Sequence, residues 1–156
     1  MVLVRVESSE KGYHAVAARA IEAGAVVCRI EGDMTTVPTR FSLQVGVGCH
    51  VAPRLTGSDD GPAWRFTNHS CDPNSALRGQ ALVALRSIVE GDEITFDYET
   101  TEYDMAEPFV CHCGADQCRG TIRGFRHTTP TVRERLRPLL APHLLDREPG
   151  GGDAAS

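Results

Sequence analysis

The sequence predicts a mostly β domain. Three observations point that way: short alternating or apolar runs recur at close spacing, turn residues punctuate nearly every one, and the single sustained helical pattern is confined to the C-terminal end. At 156 residues the chain matches one domain, able to bury roughly 70% of its unfolded surface.

Residues 2–7 alternate as a strand, Ser8 to Gly12 make a turn, and Tyr13 to Ala18 return as a second strand. Glu22-Ala23-Gly24 turns the chain into Val26 to Ile30, which Glu31-Gly32-Asp33 closes. Phe41 to Val47 alternates again, with Cys49-His50-Val51-Ala52 as a partner and a polar loop from Thr56 to Pro62 beyond. Asn68-His69-Ser70-Cys71 runs into Asp72-Pro73-Asn74, which is turn chemistry, so this stretch belongs on a loop or helix end rather than in a sheet. Ala76-Leu77 and Ala81 to Leu85 form a hairpin about Arg78-Gly79-Gln80. Glu90-Gly91-Asp92 leads into a strand from Glu93 to Tyr98. Thr129-Pro130 opens a helical pattern with leucines at 136, 139, 140, 144 and 145, which Pro138 and Pro142 break into two short pieces. The polar, Gly-rich tail at 148–156 is expected to be disordered.

Bulk properties exclude several function classes. The longest apolar runs fall far short of the roughly 20 residues that span a bilayer, and Met1 to Val6 is too short and interrupted for a signal-peptide core. The chain is therefore expected in the cytoplasm, without a membrane partner. A net charge of -5 disfavours direct nucleic-acid binding and suits a basic partner. No Gly-rich phosphate loop follows a strand, which argues against a dinucleotide site.

Six cysteines in a reducing compartment argue for metal or free thiols before disulfides. Cys111, Cys113 and Cys118 supply three soft ligands in a CxCxxxxC cluster, and Cys71 is the candidate for the fourth position of a tetrahedral structural zinc. Four unbound thiols are the competing state. Cys28 and Cys49, in apolar surroundings, are expected to pack in the core.

Arg65-Phe66-Thr67-Asn68-His69-Ser70-Cys71-Asp72-Pro73-Asn74, then Glu90-Gly91-Asp92-Glu93-Ile94-Thr95-Phe96-Asp97-Tyr98, then the cysteine cluster with Arg119-Gly120 resemble, in order, the SET domain and its post-SET zinc module. Lys11 to Ala18 resembles the family's Gly-x-Gly strand, so the likeness covers roughly residues 3–125. It implies a β-clip-like fold of small sheets around a knot-like core, with a SET domain over 1–110, a post-SET zinc segment over 111–127, a C-terminal helical segment over 128–147 and the tail. It also implies an S-adenosylmethionine-dependent protein-lysine methyltransferase, similar to small stand-alone members such as bacterial ones. Methylation of a small amine or peptide metabolite, and a zinc-stabilised binding module that has lost turnover, are the alternatives.

The resemblance assigns cofactor contacts to Gly12, Tyr13, His14, Arg65, Phe66, Asn68, His69, Tyr98 and His112. His14 is a departure, since it stands where the second glycine usually lies. Tyr98 is the catalytic residue by the same likeness, its hydroxyl orienting the amine. Phe96, two residues earlier, matches the position that tunes how many methyls are added and implies di- or trimethylation. Phe41 lies near the place of a further active-site tyrosine in many relatives, and Tyr103 could be recruited from the next loop to hold the lysine. Phe109, Ile122 and Phe125 flank the cysteines and could cover the adenine. Acidic residues Glu99, Glu102, Asp104 and Glu107 suit either a solvated loop or recognition of a basic peptide.

Overall fold

The structure, a computed structural model, describes residues 2–54 and 62–147. Most of the polar loop at 56–62 and all of the tail at 148–156 lie outside the described residues.

Two antiparallel strands open the chain, β1 (Val4–Ser9) and β2 (Gly12–Ala17), in register from Val4 opposite Ala17 to Ser9 opposite Gly12. Gly12 sits at φ 105°, a backbone angle that a side chain would strain, so the tight reversal needs glycine there. A three-stranded sheet follows from β3 (Val26–Arg29), β8 (Ser75–Arg78) and β9 (Ala81–Ala84), in the order β3-β9-β8. The β8–β9 hairpin is the one expected around Gly79. A second three-stranded sheet, order β4-β6-β5, comprises β4 (Asp33–Thr35), β5 (Leu43–Gly46) and β6 (Cys49–Ala52). Asp33, expected to close a strand, instead begins β4, and Phe41 stands before β5 rather than inside it.

The largest correction concerns Asn68. It was expected on a loop, but β7 (Asn68–His69) pairs in parallel with β10 (Thr95–Phe96), Thr95 opposite Asn68 and Phe96 opposite His69. Two residues per strand leave no periodicity to read. The strand expected through Tyr98 correspondingly ends at Phe96, and a short 3-10 helix begins at Tyr98 because the Asp97 side chain caps the Glu99 N–H at 3.0 Å. The segments around this pair interlock: the Asn74 side chain donates to the Glu93 carbonyl at 2.8 Å and accepts from the Thr95 N–H at 3.0 Å.

Near the cysteines, β11 (Phe109–Val110) pairs with β12 (Thr121–Ile122). The chain then enters α1 (Pro130–Leu136), capped by the Thr129 hydroxyl, and α2 (Pro142–Leu145), the two short helical pieces that Pro138 and Pro142 imply.

Ile30, Leu77, Leu82, Ile88 and Ile94 fill a main core shared by the small sheets, each at most 2% exposed. Burying such a side chain contributes about 1.5–3 kcal/mol. Tyr103, Phe125, Leu136, Leu140 and Leu144 make a second cluster that docks the C-terminal helices, and a third surrounds the cysteines. No helix among the described residues is long and apolar enough to cross a membrane.

Candidate functional site

An open cavity of about 1390 Å³ runs between β2, the 62–69 segment, the Phe96–Glu102 turn and the stretch from Met105 to Cys113. Several local devices aim its walls. The buried Trp64 donates its indole N–H to the Glu31 carbonyl at 2.9 Å, which fixes the short 3-10 turn that carries Arg65 and Phe66. Phe66 meets the Tyr13 ring at 5.6 Å between centroids, and the Arg65 guanidinium lies 4.8 Å from both the Phe66 and the Phe41 rings.

The parallel pair β7–β10 brings Asn68 and Tyr98 into this one space. The Asn68 carboxamide donates to the Glu93 carboxylate at 3.1 Å and to the Tyr13 carbonyl at 3.4 Å. His69 is held from both sides: its Nδ1 accepts the Tyr98 backbone N–H at 3.0 Å, and its Nε2 lies 3.3 Å from Cys71 Sγ. Burial first, and then the Arg119 charge, lowers its pKa to about 4, so the ring is neutral with its proton on Nε2. Tyr98 donates its hydroxyl to the Thr67 carbonyl at 2.7 Å. Burial, with the charges of Glu102 and Glu93 adding to it, pushes this phenol above its ordinary pKa. Phe96 stacks obliquely on Tyr98 at 4.8 Å.

Of the residues singled out from sequence, Gly12, Tyr13, His14, Phe41, Arg65, Phe66, Asn68, His69, Phe96, Tyr98, Phe109 and His112 all line the cavity. The His14 imidazole leans toward Glu7 on the neighbouring strand, 4.0 Å away, instead of facing solvent fully. Tyr103 does not join them. The Gln44 side chain holds its backbone N–H at 2.9 Å and its ring turns into the C-terminal cluster under the Arg147 guanidinium, 3.5 Å away. Ile122 and Phe125 are likewise buried in clusters and do not themselves line the cavity. Glu102 and Glu107, two of the four acids weighed for recognition of a basic peptide, line it as well, and so does Thr67, which was not singled out; Thr67 is 3% exposed and its hydroxyl has no hydrogen-bond partner among the described residues. A polar residue next to Asn68 was the available signal for Thr67.

The four sulfurs of Cys71, Cys111, Cys113 and Cys118 lie within 4.8 Å of one another, Cys71 and Cys111 at 4.0 Å. A tetrahedral zinc with bonds of about 2.3 Å spaces its sulfurs about 3.8 Å apart, so the donor set fits one such ion. The Arg119 backbone N–H points at Cys71 Sγ from 3.5 Å, as suits a thiolate. Cys28 and Cys49 lie outside this group. Burial pushes the Cys28 thiol up to about 12, which leaves it unreactive.

A buried ion network ties the cysteine segment to the Tyr98 turn. The Arg119 guanidinium reaches Asp97 at 2.7 Å and Glu99 at 2.9 Å, and Glu99 also accepts the Arg123 and Gly124 N–H groups at 3.0 and 2.9 Å. Burial alone would lower the Arg119 pKa, but the hydrogen bond and charge of Asp97 more than offset this and raise it.

The sequence pattern of the SET domain family matches residues 12–99. Among known proteins the chain is 33% identical over 135 residues to methyltransferase flvH of Aspergillus flavus, covering 81% of this chain and 69% of flvH. It is 34% identical over 119 residues to the histone-lysine N-methyltransferase ash1 of Drosophila melanogaster, covering 71% of this chain but only 5% of ash1. Human histone-lysine N-methyltransferase 2B matches at 35% identity over 65% of this chain and 4% of its own length. The chain thus spans a small part of these long histone-directed relatives. Among solved structures, the methyltransferase domain of human SETMAR superposes with a TM-score of 0.57 at 21% identity, covering 75% of this chain and 56% of that one. KRYPTONITE, solved with DNA, an H3(1-15) peptide and SAH, superposes with a TM-score of 0.54 at 24% identity, over 76% of this chain and 29% of that one.

Proposed function

Because the chain belongs to the SET domain family, we propose that it transfers a methyl group from S-adenosylmethionine to the ε-amine of a lysine in a basic protein or peptide. One observation carries this: β7 and β10 deliver Asn68 and the Tyr98 hydroxyl into a single cavity, with the Gly12–His14 strand along one side and the stretch up to Cys113 along another. A donor and an acceptor can meet there. The cofactor supplies, when bound, a methyl carbon made electrophilic by its sulfonium.

The residues divide the work. Tyr13, Phe66 and His112, with the polar groups of Asn68 and His69, would hold the cofactor end, Arg65 and Gly12 shaping its wall. The acceptor must arrive as a neutral amine, whereas an exposed lysine with pKa about 10.4 is nearly all protonated at neutral pH. Phe96 and the half-buried Tyr98 narrow the inner end and desolvate the nitrogen, which lowers that pKa. The Tyr98 hydroxyl stays protonated and orients the nitrogen for in-line attack. Cys71, Cys111, Cys113 and Cys118 would hold one structural zinc, and the Arg119 network would pass its rigidity to the turn bearing Tyr98.

Calorimetry with S-adenosylmethionine, followed by mass spectrometry of lysine peptides and cell-lysate proteins against a Tyr98→Phe control, tests this. Added mass of whole methyl groups, absent in the control, is the expected result. Cofactor binding with no methylated product from any acceptor would leave a binding module instead. A second function is methylation of a small amine, which the open cavity would also admit. Free amines methylated in preference to intact proteins would select it.

A further inference from the structure

Glu102 follows Tyr98 by one turn, its backbone N–H donating to the Tyr98 carbonyl at 2.9 Å. Its Oε2 accepts two hydrogen bonds at 2.8 Å, from the Gln44 backbone N–H and the Thr101 hydroxyl. Among the described residues Oε1 has no such partner, and no ion pair involves this carboxylate. The neighbouring acids are engaged elsewhere: Glu99 by Arg119, and Asp104 by Arg126 and His127. Glu107 lines the cavity but is exposed. Of the other acids that line it, Glu93 is exposed as well and accepts a hydrogen bond from Asn68, whereas Glu102 is half-buried beside the Tyr98 turn.

An anion in such a place lacks a counter-charge from the chain itself. An alkylammonium entering the cavity is a cation of the size and donor geometry to supply it. We propose that Glu102 receives the acceptor amine: Oε1 binds the incoming alkylammonium and takes one of its protons, leaving a neutral nitrogen beside the Tyr98 hydroxyl. One N–H bond breaks, its electron pair stays on nitrogen as the nucleophilic lone pair, and one O–H bond forms on Glu102. The proton then passes to water at the open side of the cavity, which restores the carboxylate. The fate of the amine after this step rests on the methyl-transfer function proposed above; its binding does not.

Burial raises the Glu102 carboxyl to about 7 against the opposing pull of the Gln44 and Thr101 hydrogen bonds, nearer to an amine than an ordinary carboxyl stands. The other titratable groups around it are Tyr98, Glu93 across the cavity, His50 on β6 opposite Gln44, and His143 of α2, whose ring meets the Thr101 carbonyl at 2.7 Å. Burial holds both imidazoles below their ordinary value, so they are neutral where Glu102 ionises.

The test is a titration of the full chain with n-butylamine and with Nα-acetyl-lysine methylamide, with and without saturating S-adenosylhomocysteine. Glu102→Gln keeps an oxygen for the Gln44 and Thr101 donors and should preserve S-adenosylhomocysteine binding. It should weaken amine binding about tenfold or more, the worth of one charge-assisted hydrogen bond. Wild-type affinity should also rise with pH through about 7, as the carboxylate ionises, and this rise should vanish in the variant. Glu102→Asp should recover part of the affinity. Equal amine affinity in wild type and Glu102→Gln, or no amine binding by the wild type, overturns the inference. Amine binding that depends on Glu102, with no methyl transfer to any acceptor, upholds it and sinks the methyltransferase function instead.

Discussion

His69 Nδ1 accepts the backbone N–H of Tyr98 at 3.0 Å, so a side chain on β7 fixes the first residue of the turn that carries the phenol. The opposite ring nitrogen faces Cys71 Sγ, and a single imidazole therefore joins the phenol-bearing turn to the cysteine cluster. His69→Leu fills similar space but leaves the Tyr98 N–H without an acceptor. It should cost roughly 1–3 kcal/mol in urea unfolding, and turnover should fall more than cofactor affinity. A stability change within experimental error would show that the bond does not hold the turn.

Much of this architecture was legible because its signals are local. The β8–β9 hairpin announced itself through apolar runs on either side of Gly79, and the reversal before β2 through Gly12, which needs a positive φ. The cysteine spacing and the Asn68 to Cys71 stretch carried the site. What escaped depends on long-range pairing. Two-residue strands such as β7 and β10 have no period, and their parallel register exists only once residues 27 positions apart meet. Tyr103 and Glu102 are adjacent, and whether each faces the core or the cavity is decided by Gln44, whose backbone N–H binds Glu102 and whose side chain binds the Tyr103 N–H. No inspection of residues 99–107 alone could have separated them.

Arg119 is the only cation bonded to both Asp97 and Glu99 among the described residues, and the side chains of these two acids are 0% and 4% exposed. Arg119→Ala leaves two buried carboxylates without their counter-charge. The expected loss is about 3–5 kcal/mol, read from chemical denaturation. Arg119→Lys should recover only part of it, since an ammonium cannot reproduce the guanidinium fork.

Metal content tests the cysteine cluster directly. Elemental analysis should find about one zinc per chain, as four sulfurs with tetrahedral spacing imply. Stripping the ion with a strong chelator should release the segment around β11 and β12, seen as faster amide exchange there, and abolish cofactor binding. Cys118→Ser should weaken retention of the ion. Full turnover after verified removal would break the proposed coupling between this segment and the Tyr98 turn.

Phe96 is 5% exposed and its ring centre lies 4.8 Å from that of Tyr98, so it borders the space in which the acceptor nitrogen would sit. A phenyl ring offers that nitrogen no hydrogen bond and leaves it free to turn after the first transfer. The wild type should then add two or three methyls to an accepted lysine. In Phe96→Tyr the new hydroxyl can hold the amine or a water, and the products should shift toward monomethyl in mass spectra. Monomethyl product alone from the wild type at long times would remove Phe96 from this role.

Tyr98 offers a pH signature that separates an orienting phenol from a general base. Burial raises its pKa in the folded chain, while in the unfolded chain it titrates near about 10. Above that pH the unfolded state releases a proton that the folded state retains, so unfolding is favoured as pH rises and the stabilisation by this residue is lost. Tyr98→Phe removes both the hydroxyl bond to Thr67 and this alkaline penalty. The variant should be less stable than wild type near neutrality, by roughly 1 kcal/mol, and the gap should close as pH climbs past about 10. Its methyl transfer should fall at every pH, because a phenol that stays protonated contributes orientation and not proton removal. A gap that is independent of pH would mean the phenol ionises as it would in water, and would count against a purely orienting role for Tyr98.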